Sequence, residues 1–115
     1  MEYREPIPIS RTEAEEAFAS GDSFRICDAL VRITFHDLDW RWVQQWCIDF
    51  SKHPDLYIRG LAATCFGHLA RIHGCLDLDI VLPILKDLLN DPDVGGEAKN
   101  AISDIRMFMK SDLEI

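Results

Sequence analysis

The chain repeats itself, and that repetition limits the folds open to it more than any other feature. A shift of 38 residues brings Val43, Trp46, Cys47, Asp49 and Phe50 onto Val81, Ile84, Leu85, Asp87 and Leu88, and His53-Pro54-Asp55 onto Asp91-Pro92-Asp93. Past that turn the shift becomes 36, with Ala62, Cys65, Phe66 and Leu69 falling on Ala98, Ala101, Ile102 and Ile105. The second copy has therefore lost two residues just after its proline turn. A repeat of this length marks stacked helix pairs, each burying its apolar side against the next. With 115 residues the chain has room for one domain, 1–115, of three such pairs: an all-α fold of six helices in a short right-handed α-solenoid.

Taken in order, Pro6-Ile7-Pro8-Ile9 reads as extended, because a proline disfavours helix in the residue before it. Residues 1–9 are thus a segment ahead of the helices. Ser10-Arg11-Thr12-Glu13 is a capping box that opens an acidic helix over 11–20, with Ala14, Ala17 and Phe18 as its apolar side and Gly21 as its stop. Asp22 or Ser23 caps a second helix to about Phe35, for which Cys27, Leu30, Val31 and Ile33 supply the apolar face. This pair is a worn first copy, as a terminal repeat with a single neighbour should be. Asp37-Leu38-Asp39 leads into a helix over 40–51, where Val43, Trp46, Cys47 and Phe50 share one face, and Pro54 breaks the chain.

The helix expected over 56–73 carries two stripes. Ile58, Leu61, Ala62, Cys65, Phe66, Leu69 and Ile72 form a broad apolar one, and Gly60, Ala63, Gly67 and Ala70 a second of small residues. Each helical glycine costs about 1 kcal/mol against alanine, so close approach of another helix is the expected compensation. Only Thr64, His68 and Arg71 are left to point outward. Pro83 should kink the next helix near its first turn. Gly95-Gly96 reads as a turn, and a last helix over 96–110 places Ala98, Ala101, Ile102, Ile105, Phe108 and Met109 on one face, with Met107 and the tail 111–115 exposed.

A net charge of -8 argues against direct nucleic-acid binding, which needs clustered Lys and Arg, and favours a basic protein partner. The opening residues are neither basic nor apolar enough for a signal peptide, and no apolar run reaches membrane-spanning length. Four cysteines without C-x-x-C spacing read as reduced thiols of a cytoplasmic protein. The expectation is a monomer that touches neither membrane nor nucleic acid.

Leu82-Pro83, Leu88-Leu89-Asn90-Asp91-Pro92-Asp93 and the middle copy, from His53-Pro54-Asp55 through Ile58-Arg59 and Ala62-Ala63 to Gly67 and Leu69, resemble HEAT repeats. The resemblance covers about 38–110. It implies that Asp55 and Arg59 stand in the ladder that family builds between repeats, and that the ladder ends where Gly96 or Glu97 replaces the arginine. The stretch Arg59 to Gly74, and the size of the chain, are also similar to small HEAT-like bacterial immunity proteins of contact-dependent growth-inhibition toxins. That similarity implies a protein that binds and neutralises a cognate toxin, a basic nuclease of RNase type. A generic scaffold or adaptor without a toxin is the alternative.

No catalytic constellation emerges, so the chain is not expected to be an enzyme. The four histidines lack metal-ligand spacing, no cofactor is implied, and Asp37, Asp39, Asp77 and Asp79 are read as caps before they are read as a cation site. Solenoids without chemistry present surfaces. The expected partner-binding surface has two parts. One is the outward strip Thr64, His68 and Arg71 with Asp104; the other is the acidic edge Asp37, Asp39, Asp77 and Asp79. Trp42 and Tyr57 are the candidate aromatic anchors. Arg59 is assigned to structure.

Overall fold

Residues 5–109 are described by a computed structural model; residues 1–4 of the expected N-terminal segment and the expected tail at 111–115 lie outside them. Among the described residues there are six helices and no strand: α1 (Arg11–Ala19), α2 (Ser23–His36), α3 (Trp40–Phe50), α4 (Leu56–His73), α5 (Leu78–Leu89) and α6 (Gly95–Met109). No helix among these residues is long and apolar enough to cross a membrane.

Local chemistry sets the helix ends. The Ser10 hydroxyl accepts from the Glu13 backbone N–H and donates to its carboxylate, both at 3.1 Å. The Asp22 carboxylate accepts from the N–H groups of Phe24 and Arg25, Asp39 from Trp42, and Asp55 from Tyr57, satisfying donors that a first helical turn leaves unpaired. At the far end of α4, Gly74 takes the left-handed conformation (φ 63°) and its N–H returns to the Ala70 carbonyl. Asp77 departs from the pattern, making no side-chain cap. Its carboxylate instead accepts from Gln44 Nε2 at 2.9 Å while its N–H donates to Gln44 Oε1 at 2.8 Å. A glutamine only 4% exposed is thereby satisfied at both amide atoms, and α3 is tied to the link between α4 and α5.

Consecutive helices pair as α1/α2, α3/α4 and α5/α6, and α4 lies between α2 and α6, with α6 as its most extensive neighbour. The small-residue stripe is the reason. Gly60, Ala63, Gly67 and Ala70 are all buried. A Cβ placed on Gly60 would lie 3.2 Å from Val94 Cγ1, and one on Gly67 would lie 3.2 Å from Ala101 Cα. The opposite stripe, with Ile58, Ala62, Cys65, Phe66 and Leu69 essentially inaccessible, supplies much of the core. Burying a side chain such as Phe66 contributes about 2 to 3 kcal/mol.

Several apolar assignments change. Ile72 is exposed and Leu61 half-buried, because α4 runs to the edge of the stack at one end and borders a groove at the other. On α2 the buried set is Ile26, Ala29, Leu30, Ile33 and Thr34, so Cys27 and Val31 turn partly outward. The face follows i, i+3, i+4, i+7 from Ile26, a phase that starting from Cys27 misses. Gly95 and Gly96 are the first turn of α6 and not a turn before it, and Phe108 is exposed. A side chain at Gly95 would meet the Leu89 carbonyl oxygen at 2.9 Å, which explains the glycine. Pro83 lies inside α5, which continues through it to Leu89. Cys47 and Cys65 are fully buried whereas Cys27 and Cys75 are half-buried. A hydrogen bond with Cys65, reinforced by burial, raises the Cys47 thiol well above its ordinary range, so it stays protonated.

Candidate functional site

Two polar links join the three hairpins on one side. The Ser23 hydroxyl at the start of α2 donates to the Asp55 carboxylate at the start of α4. From α4, Arg59 Nε donates to Asp91 at 2.9 Å, with Asp93 at 3.7 Å, and its Nη1 donates to the carbonyls of His53 and Pro54. The Arg59 and Asp91 side chains are only 16% and 19% exposed. Hydrogen bonding to Ser23 and Tyr57 lowers the Asp55 carboxyl from its ordinary value, and hydrogen bonding to Arg59 and Asp93 does the same for Asp91.

Folded-state carboxyls held below their unfolded values stabilise the fold above about pH 4, and that contribution fades as pH falls toward the depressed values. The urea midpoints of wild type and Asp91→Asn should therefore differ at pH 7 and converge by about pH 3. A gap that persists at pH 3 would show that the Asp91 charge is not what the link to Arg59 uses.

The acidic edge lies at the links α2–α3 and α4–α5, and part of it is already engaged. Arg11, the first residue of α1, donates to Asp37 through Nε and Nη2 and to Asp39 at 3.3 Å, while its guanidinium lies 4.3 Å from the Trp42 ring centroid. Burial alone would raise the Asp37 carboxyl, but the Arg11 guanidinium and the Asp39 N–H outweigh it and hold it low. Asp77 is held by Gln44, and Asp79 in the first turn of α5 is exposed. Trp46, the third tryptophan of α3, packs 4.4 Å from Phe18 and stacks on Phe50 at 5.7 Å, fastening α1 to α3. Among the described residues no three His, Cys, Asp or Glu side chains gather as a metal site would require.

The outward strip lies along the row of alternate helices. His68 Nδ1 accepts from Arg71 Nη2 at 2.9 Å, and the imidazole packs 5.0 Å from the Phe35 ring of α2. Burial and then Arg71 lower the His68 pKa against the pull of Asp104, so the ring is neutral at pH 7 and free to accept. Asp104 of α6 stands over Gly67, 2.7 Å from where a Cβ would be. Thr64 is half-buried, Arg71 exposed, and Tyr57 74% exposed. The structure thus brings Thr64, His68, Arg71 and Asp104 together, with Tyr57 at the start of the same helix.

Sequence reasoning missed a groove. Arg32 donates from Nε to the Ile7 carbonyl and from Nη2 to the Pro8 carbonyl, both at 2.9 Å, and His36 meets the Pro6 carbonyl. These contacts lay the extended N-terminal segment along α2. Between segment, α2 and Leu61 of α4 lies a groove of about 710 Å³ whose walls include Ile7, Phe24, Cys27 and Val31. Phe24 is 81% exposed and Ile7 63%. The missing signal was the α2 phase: once Ile26, Ala29, Leu30 and Ile33 face inward, Phe24, Cys27 and Val31 must share the other side.

No family model matches the chain, and no curated protein matches it either. A solved structure does. One chain in the crystal structure of a CDI complex from Cupriavidus taiwanensis LMG 19424 is 35% identical and has a TM-score of 0.83, with 94% of this chain and 97% of that chain covered. With that identity held over nearly the full length of both molecules, the chain belongs to the same protein family as this component of the Cupriavidus CDI complex.

Proposed function

We propose that the protein is an immunity protein of a contact-dependent growth-inhibition system, binding and neutralising a cognate toxin inside the cell that makes it. The observation that carries this reading is the 35% identity, over nearly all of both chains, to a component of a CDI complex. Charge and surface support it. A molecule of net charge -8 attracts a basic partner, and a nuclease must carry positive potential to hold phosphates, so the toxin proposed is an RNase-type domain. The protein acts as a monomeric HEAT-like stack that presents side chains and performs no reaction.

The proposed contact surface joins Thr64, His68, Arg71 and Asp104 to the acidic edge of Asp37, Asp39, Asp77 and Asp79, with Trp42 and Tyr57 as anchors. Asp79 and Tyr57 stand free to reach a partner. Asp37, Asp39 and Trp42 would meet it with Arg11 already in place.

Co-expression with the toxin domain encoded beside this gene should restore growth that the toxin alone arrests, and the two chains should co-purify with an affinity that falls as salt rises. Continued arrest without a complex would remove the proposal. Arrest caused by this chain alone would also remove it, since the chain would then be the toxic component of its pair.

A further inference from the structure

We infer that the groove between the N-terminal segment, α2 and α4 is where the toxin inserts an apolar side chain flanked by lysine or arginine; this rests on the immunity reading above. Phe24 and Tyr57 occupy the first turns of α2 and α4, and the Ser23–Asp55 hydrogen bond ties those two helix starts together. The pair places two aromatic rings, 81% and 74% exposed, at one end of the stack. Phe24 lines the groove itself and Tyr57 stands one helical turn before its Leu61 wall, and an exposed aromatic on a concave apolar surface is the pattern of an interface anchor, where Tyr, Trp and Phe concentrate.

Charge decides what fits. Arg32 borders the groove, but its guanidinium is spent on the carbonyls of Ile7 and Pro8 and on Asp28 at 3.3 Å. Glu5 and Asp28 line the same groove, and Glu13 and Glu16 line a smaller depression on the adjoining flank of α2, with Arg25 as the further cation there. Within the groove the carboxylates of Glu5 and Asp28 therefore face one guanidinium, that of Arg32, which is already shared between Asp28 and two carbonyls, and Glu13 and Glu16 outnumber Arg25 in the depression beside it. An apolar side chain with a neighbouring ammonium or guanidinium complements that arrangement; an acidic segment does not.

The test uses the full chain and the purified toxin domain, with Phe24→Ala and Asp28→Lys measured beside wild type by calorimetry and thermal unfolding. Phe24 is too exposed to hold the fold, so Phe24→Ala should keep the wild-type Tm while weakening toxin binding at least about tenfold. Asp28→Lys should weaken toxin binding several-fold and flatten the salt dependence of its affinity. Wild-type binding with both variants within about twofold would overturn the groove and leave the immunity reading standing. No binding by wild type would overturn that reading and the groove with it. A several-degree fall in the Tm of free Phe24→Ala would show the chain's own residues covering the groove, and a wild-type dimer that Phe24→Ala dissociates would show a second copy there. Either result also overturns the proposal.

Discussion

Gly67→Leu should cost at least about 3 kcal/mol, enough to take much of the stability of a domain this size. A bare Cβ at this position would already lie 2.7 Å from an Asp104 oxygen and 3.2 Å from Ala101 Cα. The carboxylate can rotate aside, but a Cα in the middle of α6 moves only if the helix moves. Leucine adds three more carbons where the small residues of α4 and α6 meet. Gly67→Ala divides the question: alanine gains about 1 kcal/mol of helix propensity, and the contact with Ala101 must outweigh that for the variant to be weaker. The expected order of urea midpoints is wild type, then Gly67→Ala by a small margin, then Gly67→Leu by a large one. A Gly67→Leu midpoint near wild type would mean that α4 and α6 do not meet at this stripe. On the proposed immunity reading, protection against the toxin should fall in step with the folded fraction, because Gly67 is buried against α6.

Arg59→Ala should be the second most damaging change, at about 2 to 3 kcal/mol. The side chain reaches from α4 across to the turn before α6 and also holds two carbonyls of the turn before its own helix. Its removal leaves the His53 and Pro54 carbonyls without the guanidinium and the Asp91 carboxylate with only backbone donors, at side chains that are mostly buried. Arg59→Lys is the informative companion. Lysine keeps the charge but has no planar fork, so it can serve Asp91 or the carbonyls and not both, and should recover less than half of the loss. Thermal unfolding of the three proteins would check the order. Equal stability of Arg59→Lys and wild type would reduce the Arg59 link to simple charge attraction.

The repeat made the fold legible. Helix ends are local events, so Ser10, Asp22 and Asp39 announce themselves, and the helix expected over 56–73 matches α4, which the structure closes with Asp55 at its start and Gly74 at its end. The small stripe of α4 was legible because glycine at positions 60 and 67 makes sense only if something comes close. What stayed hidden depends on residues distant in sequence. Nothing near Gln44 signals Asp77, and nothing near Arg11 signals Asp37 and Asp39, so acids that read as a free edge turn out to be held from within. The groove was lost for a different reason: α2 carries apolar residues on both sides, and periodicity alone does not say which of Cys27 and Ile26 faces in.

Because α4 is enclosed by α2 on one flank and α6 on the other, what it leaves outside beyond its first turn lies mainly along one line, from Tyr57 past Leu61, Thr64 and His68 to Arg71, with Ile72 beside its end. Substitutions along such a line usually shift stability by no more than about 0.5 kcal/mol. On the proposed immunity reading, descendants of this protein could thus trade one adversary for another a position at a time, rewriting what the molecule grips while the scaffold underneath is inherited unchanged.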